Sequence, residues 1–516
     1  MSESTNISIS NKYPLFVFII LLVLVVILRW VTLYNFCFEV ADSDQYVLWA
    51  AANDMHHGIF HEPCFYGQAY NPLVEPLLAQ PFLFLGFPLR IAMPLVSGIL
   101  GFLPYVLFSW ACFKQKHYIT ATFALAYLLW LPAEFHVITS IPRGYIPACA
   151  IASIGIYLAL FNPHKKGIFW FVFLGLTGIV ISQNCAFLVV PAAVYLFLTH
   201  FKESRFYIQG FAGLLAALPL PLFVYWFYNT HPAYNMHEML LNFDFDSFHQ
   251  TMQNTNLWFN FLSPFKSGKF DLILCFYGIF ALVCLVKRRF KAFISIIAGL
   301  GFFLFTLSFD KTWDGTDSMF FSSVRIFLGV PLSFIVFSFW AESSFQPGLI
   351  FGFFRVGLVS IFLVVGLYCC IERISYFNHA GDNYTRHQGI IVSDKVEHTK
   401  QLCDQVSSIC LQNHSGLVIM DSAMVDVDYM CPALNYPITT IIPDYDRRTW
   451  IMQKEDNTIR DNFICIVEDS LKMQKRFTPD IHFKKVNINP PAYLIQTQGR
   501  KVFDLLLEMK MDVREY

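Results

Sequence analysis

The chain has 516 residues, of which 56% are hydrophobic and only 14% are charged, and its formal net charge at pH 7 is −1. Soluble domains carry about 25% charged residues. This composition therefore excludes an ordinary soluble enzyme and indicates a protein that crosses a membrane several times. No block of like charges is long enough to suggest nucleic acid as a partner.

Apolar stretches follow one another along the chain, and a spanning helix needs about 20 such residues. We therefore predict a polytopic α-helical membrane protein with about eleven transmembrane helices. The first span is expected to stay as an anchor, because no small-residue cleavage site follows it. The predicted spans are Pro14–Tyr34, Ile91–Phe113, Tyr118–Leu131, Tyr145–Phe161, Ile168–Ser182, Ala186–Thr199, Phe206–Tyr228, Phe270–Val286, Ala292–Leu307, Ile326–Trp340 and Leu349–Ile371.

Basic residues orient these spans, because cytoplasmic loops carry an excess of Lys and Arg. Four basic loops fall on one side of the membrane, which we take as the cytoplasm. The opening loop, residues 35–90, and the tail then lie on the extracytoplasmic side. The four basic loops are Lys114–His117, Asn162–Gly167, Phe201–Arg205 and Val286–Lys291.

The tail differs in character from the rest of the chain. We predict a transmembrane domain over residues 1–371 and a small extracytoplasmic α/β domain over residues 372–516. Asp394–Gln412 has helical apolar spacing. The tail and the loops also contain cysteines that could pair on an oxidising side, with a connectivity that sequence leaves open. The predicted strands are Gly416–Asp421, Ile438–Pro443, Asn462–Glu468 and Ala492–Gln498.

Two acids, Asp42 and Asp44, follow the first predicted span directly. Acids in lipid are costly, so we expect both to lie in a watery cleft or among the lipid headgroups. A carboxylate there can act as a general base on an acceptor hydroxyl, or two can hold a divalent metal. The alternative is a solvated loop start without function.

The next stretch, Pro63–Gly86, contains too many prolines for a spanning helix. We predict an interfacial or re-entrant segment on the outer surface of the membrane. Its side chains Tyr66, Gln68, Tyr70 and Glu75 present hydrogen-bonding groups to a polar ligand. The alternative is an amphipathic anchor that binds no ligand.

A second outer loop, Pro132–Tyr145, contains Glu134, His136 and Arg143. The planar, permanently charged fork of Arg143 suits phosphate oxygens. The alternative is an arginine that extends from the end of a span towards the headgroups. Arg325 occupies a similar place and allows the same two interpretations.

These pieces together resemble a known family. "DSDQY" after the first span, then "FYGQAY", "VEP" and "FLG", resembles the first outer loop of GT-C membrane glycosyltransferases. The bacterial relatives of protein mannosyltransferases and of the lipid A aminoarabinose transferase are the nearest comparison. "RGY" at Arg143–Tyr145, Ser182–Phe197 and Arg325 before "VP" match further. The likeness covers roughly the first 200 residues, and Gln45-Tyr46 and Ile146-Pro147 depart from its usual Glu-Ala and Pro-Glu.

The resemblance implies a reaction on the extracytoplasmic face, in a bacterial inner membrane with the tail in the periplasm. A polyprenyl-phosphate sugar is the donor, and a glycan, a lipid or a protein is the acceptor, among membrane lipids. The implied base is Asp42 first, with Asp44 as the alternative. Arg143 and Arg325 would neutralise the leaving phosphate, and Tyr145 would line the site. No cofactor is certain, although Mg²⁺ or Mn²⁺ could sit between the two acids.

Two other classes stay open at this stage. A transporter or flippase for lipid-linked sugars usually shows duplicated halves and broken helices, and this sequence shows no duplication. A polysaccharide polymerase or ligase would use similar donors, but typically without an early acidic pair.

Overall fold

The computed structural model describes residues 6–236, 242–253, 259, 262–263, 272–309, 325–345, 349–379, 394–421, 424–444, 446–467, 469, 473, 476–511 and 513. This part of the chain is mostly helical. The α-helices are α1 Asn6–Thr32, α2 Ser43–His56, α3 Val74–Phe84, α4 Leu89–Lys114, α5 Tyr118–Trp130, α6 Ala133–Ile138, α7 Ile146–Ile156, α8 Gly167–Ile181, α9 Ala186–His200, α10 Ser204–Ala217, α11 Pro219–Thr230, α12 Phe245–Gln253, α13 Leu272–Val286, α14 Phe290–Thr306, α15 Gly329–Glu342, α16 Leu349–His379, α17 Val396–Gln412, α18 Val425–Ala433, α19 Thr449–Asp456 and α20 Val502–Glu508. Short π-helical turns are Leu33–Cys37 and Tyr157–Phe161, and short 3₁₀ turns are Gln183–Cys185 and Pro232–Tyr234. The strands are β1 Val40–Ala41, β2 Asp394–Lys395, β3 Leu417–Met420, β4 Thr439–Ile441, β5 Asn462–Ile466, β6 Phe483–Val486 and β7 Ala492–Gln496.

Five helical segments in the described chain are long and apolar enough to cross a membrane, and six shorter apolar helices accompany them. Each of the eleven predicted spans overlaps one of these segments, with Phe270 and Asp271 of one span outside the described residues, so the predicted multi-span helical fold is confirmed. The chain is an integral membrane protein. The long segments are Tyr13–Cys37, Leu89–Lys114, Gln183–His200, Ser204–Thr230 and Gly352–Asn378.

The helices pack into one large apolar core that extends from α1 to α16. α1, α5 and α16 lie against one another, and α4 packs on α5 and α7. A side chain at Gly101 of α4 would overlap the backbone oxygen of Thr139, which follows α6. The glycine therefore allows a close approach between α4 and the segment that leads to Arg143.

The C-terminal region forms the predicted α/β structure. Its five strands lie in the order β4-β3-β5-β7-β6, with β4, β3 and β5 parallel and β7 antiparallel to both its neighbours. β3, β4, β5 and β7 confirm the four predicted strands, and α17 confirms the predicted helix. β6 was not predicted, because its sequence, FKKV, lies largely exposed at the sheet edge and carries no apolar pattern. Cys403 and Cys431 form a disulfide between α17 and α18.

The α/β region docks on the opening loop. β2 pairs antiparallel with β1, with Val40 opposite Lys395. α18 packs along α2, and side chains of α2 share an apolar core with side chains of the sheet. This docking brings the loop after β4 next to the start of α2. The domain boundary at residue 371 remains a prediction, and α16 continues to His379.

Candidate active site

Asp42 is fixed by the helix that it begins. It has an extended backbone and is the N-cap of α2, and the backbone N–H of Gln45 donates to its carboxylate at 3.1 Å. Such a cap satisfies one of the free N–H groups of the first turn. Because the Asp42 side chain is buried, its carboxyl group is held in a fixed place beneath the first turn of α2.

Arg143 connects the two acids of the opening stretch. One nitrogen of its guanidinium pairs with Asp42, and the other lies 2.5 Å from Asp44 Oδ2. The Arg143 side chain is buried, whereas 31% of the Asp44 side chain is exposed. Asp42, Asp44 and Arg143, which lie in two separate loops of the sequence, therefore form one cluster. Each buried charge has an opposite charge beside it, as burial requires.

Glu75 holds the turn that presents Arg143. Its Oε2 accepts from the backbone N–H of Arg143 at 3.2 Å and of Gly144 at 2.5 Å, and its Oε1 accepts from Ser97 Oγ at 2.7 Å. Gly144 has a φ of +79°, which favours glycine. Burial raises the pKa of Glu75 to about 7, although these hydrogen bonds oppose the shift. Glu75 is thus a support beneath the site.

A further arginine enters from the α/β region. Arg447, in the loop between β4 and α19, places a guanidinium nitrogen 2.9 Å from Asp44 Oδ1. Its guanidinium also lies over the Phe65 ring, 5.1 Å from the ring centre. The sequence analysis missed this residue, because 403 positions separate it from Asp44 and no local pattern marks it.

A cavity of about 330 Å³ opens beside this cluster. Its polar wall includes six residues that the sequence predicted: Asp44, Gln68, Tyr70, Arg143, Tyr145 and Arg325. The Tyr145 hydroxyl is buried and has no hydrogen-bond partner among the described residues. Further lining residues are Asn71, Ser182, Gln183, Asn184 and Thr306, and apolar side chains come from Phe65, Phe302, Phe305, Phe309 and Ile326. A mixed polar and apolar wall of this kind suits an amphiphilic ligand.

The two acids differ in proton affinity. Burial raises the pKa of Asp42, and Arg143 only partly opposes this. Burial also acts on Asp44, but the charges of Arg447, Arg143 and Arg325 outweigh it and hold the pKa of Asp44 below its ordinary value. Asp44 is therefore an ionised carboxylate at neutral pH, and it is the acid that lines the cavity.

Four predicted binding residues are not brought to the cavity. The Tyr66 hydroxyl instead donates to Asp54 at 2.7 Å, and its ring lies edge-on to Trp450 of α19. Glu75 supports the Arg143 turn from below. Glu134 and His136 are buried in α6 and do not belong to the described cavity wall.

A divalent metal does not fit between Asp42 and Asp44 as the structure arranges them. Both carboxylates are paired with arginine, and Arg143 lies between them, where a cation would have to sit. In the described part of the chain, no group of three or more His, Cys, Asp or Glu side chains could hold a metal ion. The positive charges of the two guanidinium groups beside the acids would repel a divalent metal ion.

Comparison with solved structures identifies the architecture. The crystal structure of ArnT from Cupriavidus metallidurans bound to undecaprenyl phosphate matches with a TM-score of 0.57 and 11% sequence identity, over 92% of this chain and 97% of that chain. The apo structure of the same protein matches with a TM-score of 0.58 and 11% identity, over 94% and 98% of the two chains.

The chain has the ArnT fold. This confirms, for the fold, the resemblance to the lipid A aminoarabinose transferase seen in the opening loop. The likeness to ArnT extends from the membrane helices into the α/β region, because the match covers nearly the whole of both chains. No protein-family model and no curated protein matches the chain.

Proposed function

We propose that this protein is a membrane glycosyltransferase of the cell envelope that moves a sugar from a polyprenyl phosphate to a glycan, lipid or protein acceptor. One observation carries the proposal: a carboxylate, Asp44, and two arginines, Arg143 and Arg325, line one amphiphilic cavity. The ArnT structure bound to undecaprenyl phosphate supports a lipid phosphate as the ligand. A hexose or a pentose is the transferred group.

Asp44 is the better candidate for the general base. A carboxylate has about four lone-pair sites, so its two arginine contacts leave room for the hydroxyl of an acceptor. In the reaction, Asp44 takes the proton of that hydroxyl and the acceptor oxygen bonds to the anomeric carbon. The bond from that carbon to the phosphate oxygen breaks, and polyprenyl phosphate leaves with the electron pair.

The arginines serve the leaving group. Charge develops on the phosphate oxygen as the bond breaks, and preorganised donors at that point stabilise the transition state. Arg143 and Arg325 both line the cavity, and the Tyr145 hydroxyl, which has no hydrogen-bond partner among the described residues, offers a neutral donor beside them. Asp42 does not line the cavity, so we assign it the orientation of Arg143 rather than the proton transfer.

A disulfide of the α/β region supports an extracytoplasmic site. The Cys403–Cys431 disulfide belongs to the region that docks on the opening loop, and disulfides persist on oxidising sides of membranes. Together with the basic loops, this supports the α/β region in the periplasm of a bacterial inner membrane.

The test is a donor panel. Purified protein in nanodiscs is incubated with radiolabelled polyprenyl-phosphate sugars and a cell-envelope extract as acceptor, and the release of polyprenyl phosphate is scored. We expect release from at least one donor. A protein that binds undecaprenyl phosphate and moves the intact lipid-linked sugar between leaflets, with no release, is a flippase and contradicts the proposal.

A further inference from the structure

Arg447 joins the α/β region to the proposed reaction. Its guanidinium nitrogen lies 2.9 Å from Asp44 Oδ1, whereas Arg143 pairs with Asp44 Oδ2. Only 9% of the Arg447 side chain is exposed. A nearly buried charge pair of this kind makes a large contribution to the charge state of its partner.

The loop around Arg447 holds this side chain in a fixed place. The neighbouring Arg448 is buried and pairs with Asp428 at 2.6 Å and with Asp446 at 2.7 Å. The backbone N–H of Arg447 donates to the Tyr429 hydroxyl at 2.9 Å. This network ties both sides of Arg447 to α18 of the sheet region, so the direction of its side chain is set by that region.

The opening loop is shaped to receive Arg447. A side chain built on Gly67 would come within 3.0 Å of the Arg447 Cβ, and Gly67 has a φ of +78°. Glycine therefore meets two needs here, a left-handed backbone and a close approach. Phe65, two residues earlier, provides the ring on which the guanidinium lies.

We infer that Arg447 is a positioning residue of the transferase site, which fixes the Asp44 carboxylate and keeps it ionised, so that the docked α/β region completes the site. The inference rests on the proposed function for its use in catalysis, but the coupling of the two residues is independent of it. The charged groups that face Asp44 are Asp42, Arg143, Arg325 and Arg447.

The experiment measures the protonation of Asp44 directly, without turnover. Full-length protein in nanodiscs is titrated in an infrared cell, and the carbonyl band of a protonated carboxylic acid that Asp44→Asn lacks is assigned to Asp44. We expect this band to rise at a higher pH in Arg447→Gln than in the parent, because the largest opposing charge is gone. Arg500→Gln, which removes an arginine paired with Glu508 in the same region, should leave the band unchanged.

A band that rises at the parental pH in Arg447→Gln overturns the inference. Should that variant fail to fold, Arg447→Lys carries the same test, with a smaller upward shift expected because the charge stays but the contact changes. A lysine variant with the parental titration also overturns it. Where a donor is turned over, the acid limb of its pH–rate profile should move upward with the infrared band. Absence of turnover with every donor counts against the proposed function and leaves the infrared result valid.

Discussion

Glu75 should affect the protein's stability in two opposite ways: the hydrogen bonds that it accepts stabilise the fold, and the burial of its charge destabilises it. Its carboxylate accepts from two backbone N–H groups of the Arg143–Gly144 turn, and the burial of its charge raises its pKa from 4.5 to about 7. The raised pKa means that the folded state binds a proton at Glu75 more tightly than the unfolded chain does. The contribution of Glu75 to the free energy of unfolding therefore falls as the pH rises from about 4.5 to about 7. At about 1.4 kcal/mol per pKa unit, this rise of the pKa from 4.5 to about 7 means that the charged form costs about 3–4 kcal/mol at pH 8.

Glu75→Gln and Glu75→Ala separate these two effects. Glutamine keeps an acceptor oxygen for the turn and carries no charge, so it should be at least as stable as the parent at pH 8. Alanine leaves two buried N–H groups without an acceptor, which costs about 1–3 kcal/mol each, or about 2–6 kcal/mol together. We expect the alanine variant to melt well below the glutamine variant.

The assay is thermal unfolding of the full-length protein in nanodiscs, followed by tryptophan fluorescence at pH 5 and pH 8. The melting midpoint of the parent should fall between the two pH values by more than that of Glu75→Gln. Equal melting of the alanine and glutamine variants at pH 8 would refute the support that we assign to Glu75.

Three other predictions concern the site and its placement. Arg143→Lys should lose most transfer activity, because a point charge cannot contact Asp42 and Asp44 together. Arg90→Lys, at an exposed position, serves as the control. Near-normal turnover in Arg143→Lys would remove Arg143 from the site. A reporter that is active only in the cytoplasm should stay dark when fused at Tyr516, and a strong signal would reverse the topology. Chelators should leave transfer unchanged, because arginine occupies the place of a metal, and restoration of lost activity by Mn²⁺ or Mg²⁺ would contradict this.

Local patterns predicted most of the membrane fold. Apolar runs mark helices because lipid requires every backbone group to be bonded within its own helix. The strands β3 and β5 were predicted for a different reason: they are buried in the sheet, so their sequences are short apolar runs. The lack of burial explains the failure with β6, because an exposed edge strand carries polar residues and leaves no apolar pattern.

The site was only partly accessible to the same reasoning. Asp44 and Arg143 were found separately, because charged residues next to apolar spans are conspicuous, but their contact depends on how distant segments pack. Arg447 lay in a polar loop of a polar region, where an arginine is unremarkable without the docked structure. Tyr66 and Glu75 were placed at a ligand because loop sequence does not show which way a side chain points; Tyr66 turns to Asp54, and Glu75 turns to the backbone.

The central claim, that Asp44 accepts the proton during transfer, is tested most directly by the single-turnover rate of polyprenyl phosphate release in Asp44→Asn. The asparagine keeps the size of the side chain but cannot take the proton, and a positioned base contributes roughly 10²–10⁴-fold. We predict a loss of that order, with the binding of undecaprenyl phosphate retained. As a control, Asp54→Asn changes a carboxylate of α2 that does not line the described cavity, and this variant should release polyprenyl phosphate at the parental rate. Parental release by Asp44→Asn would contradict the account.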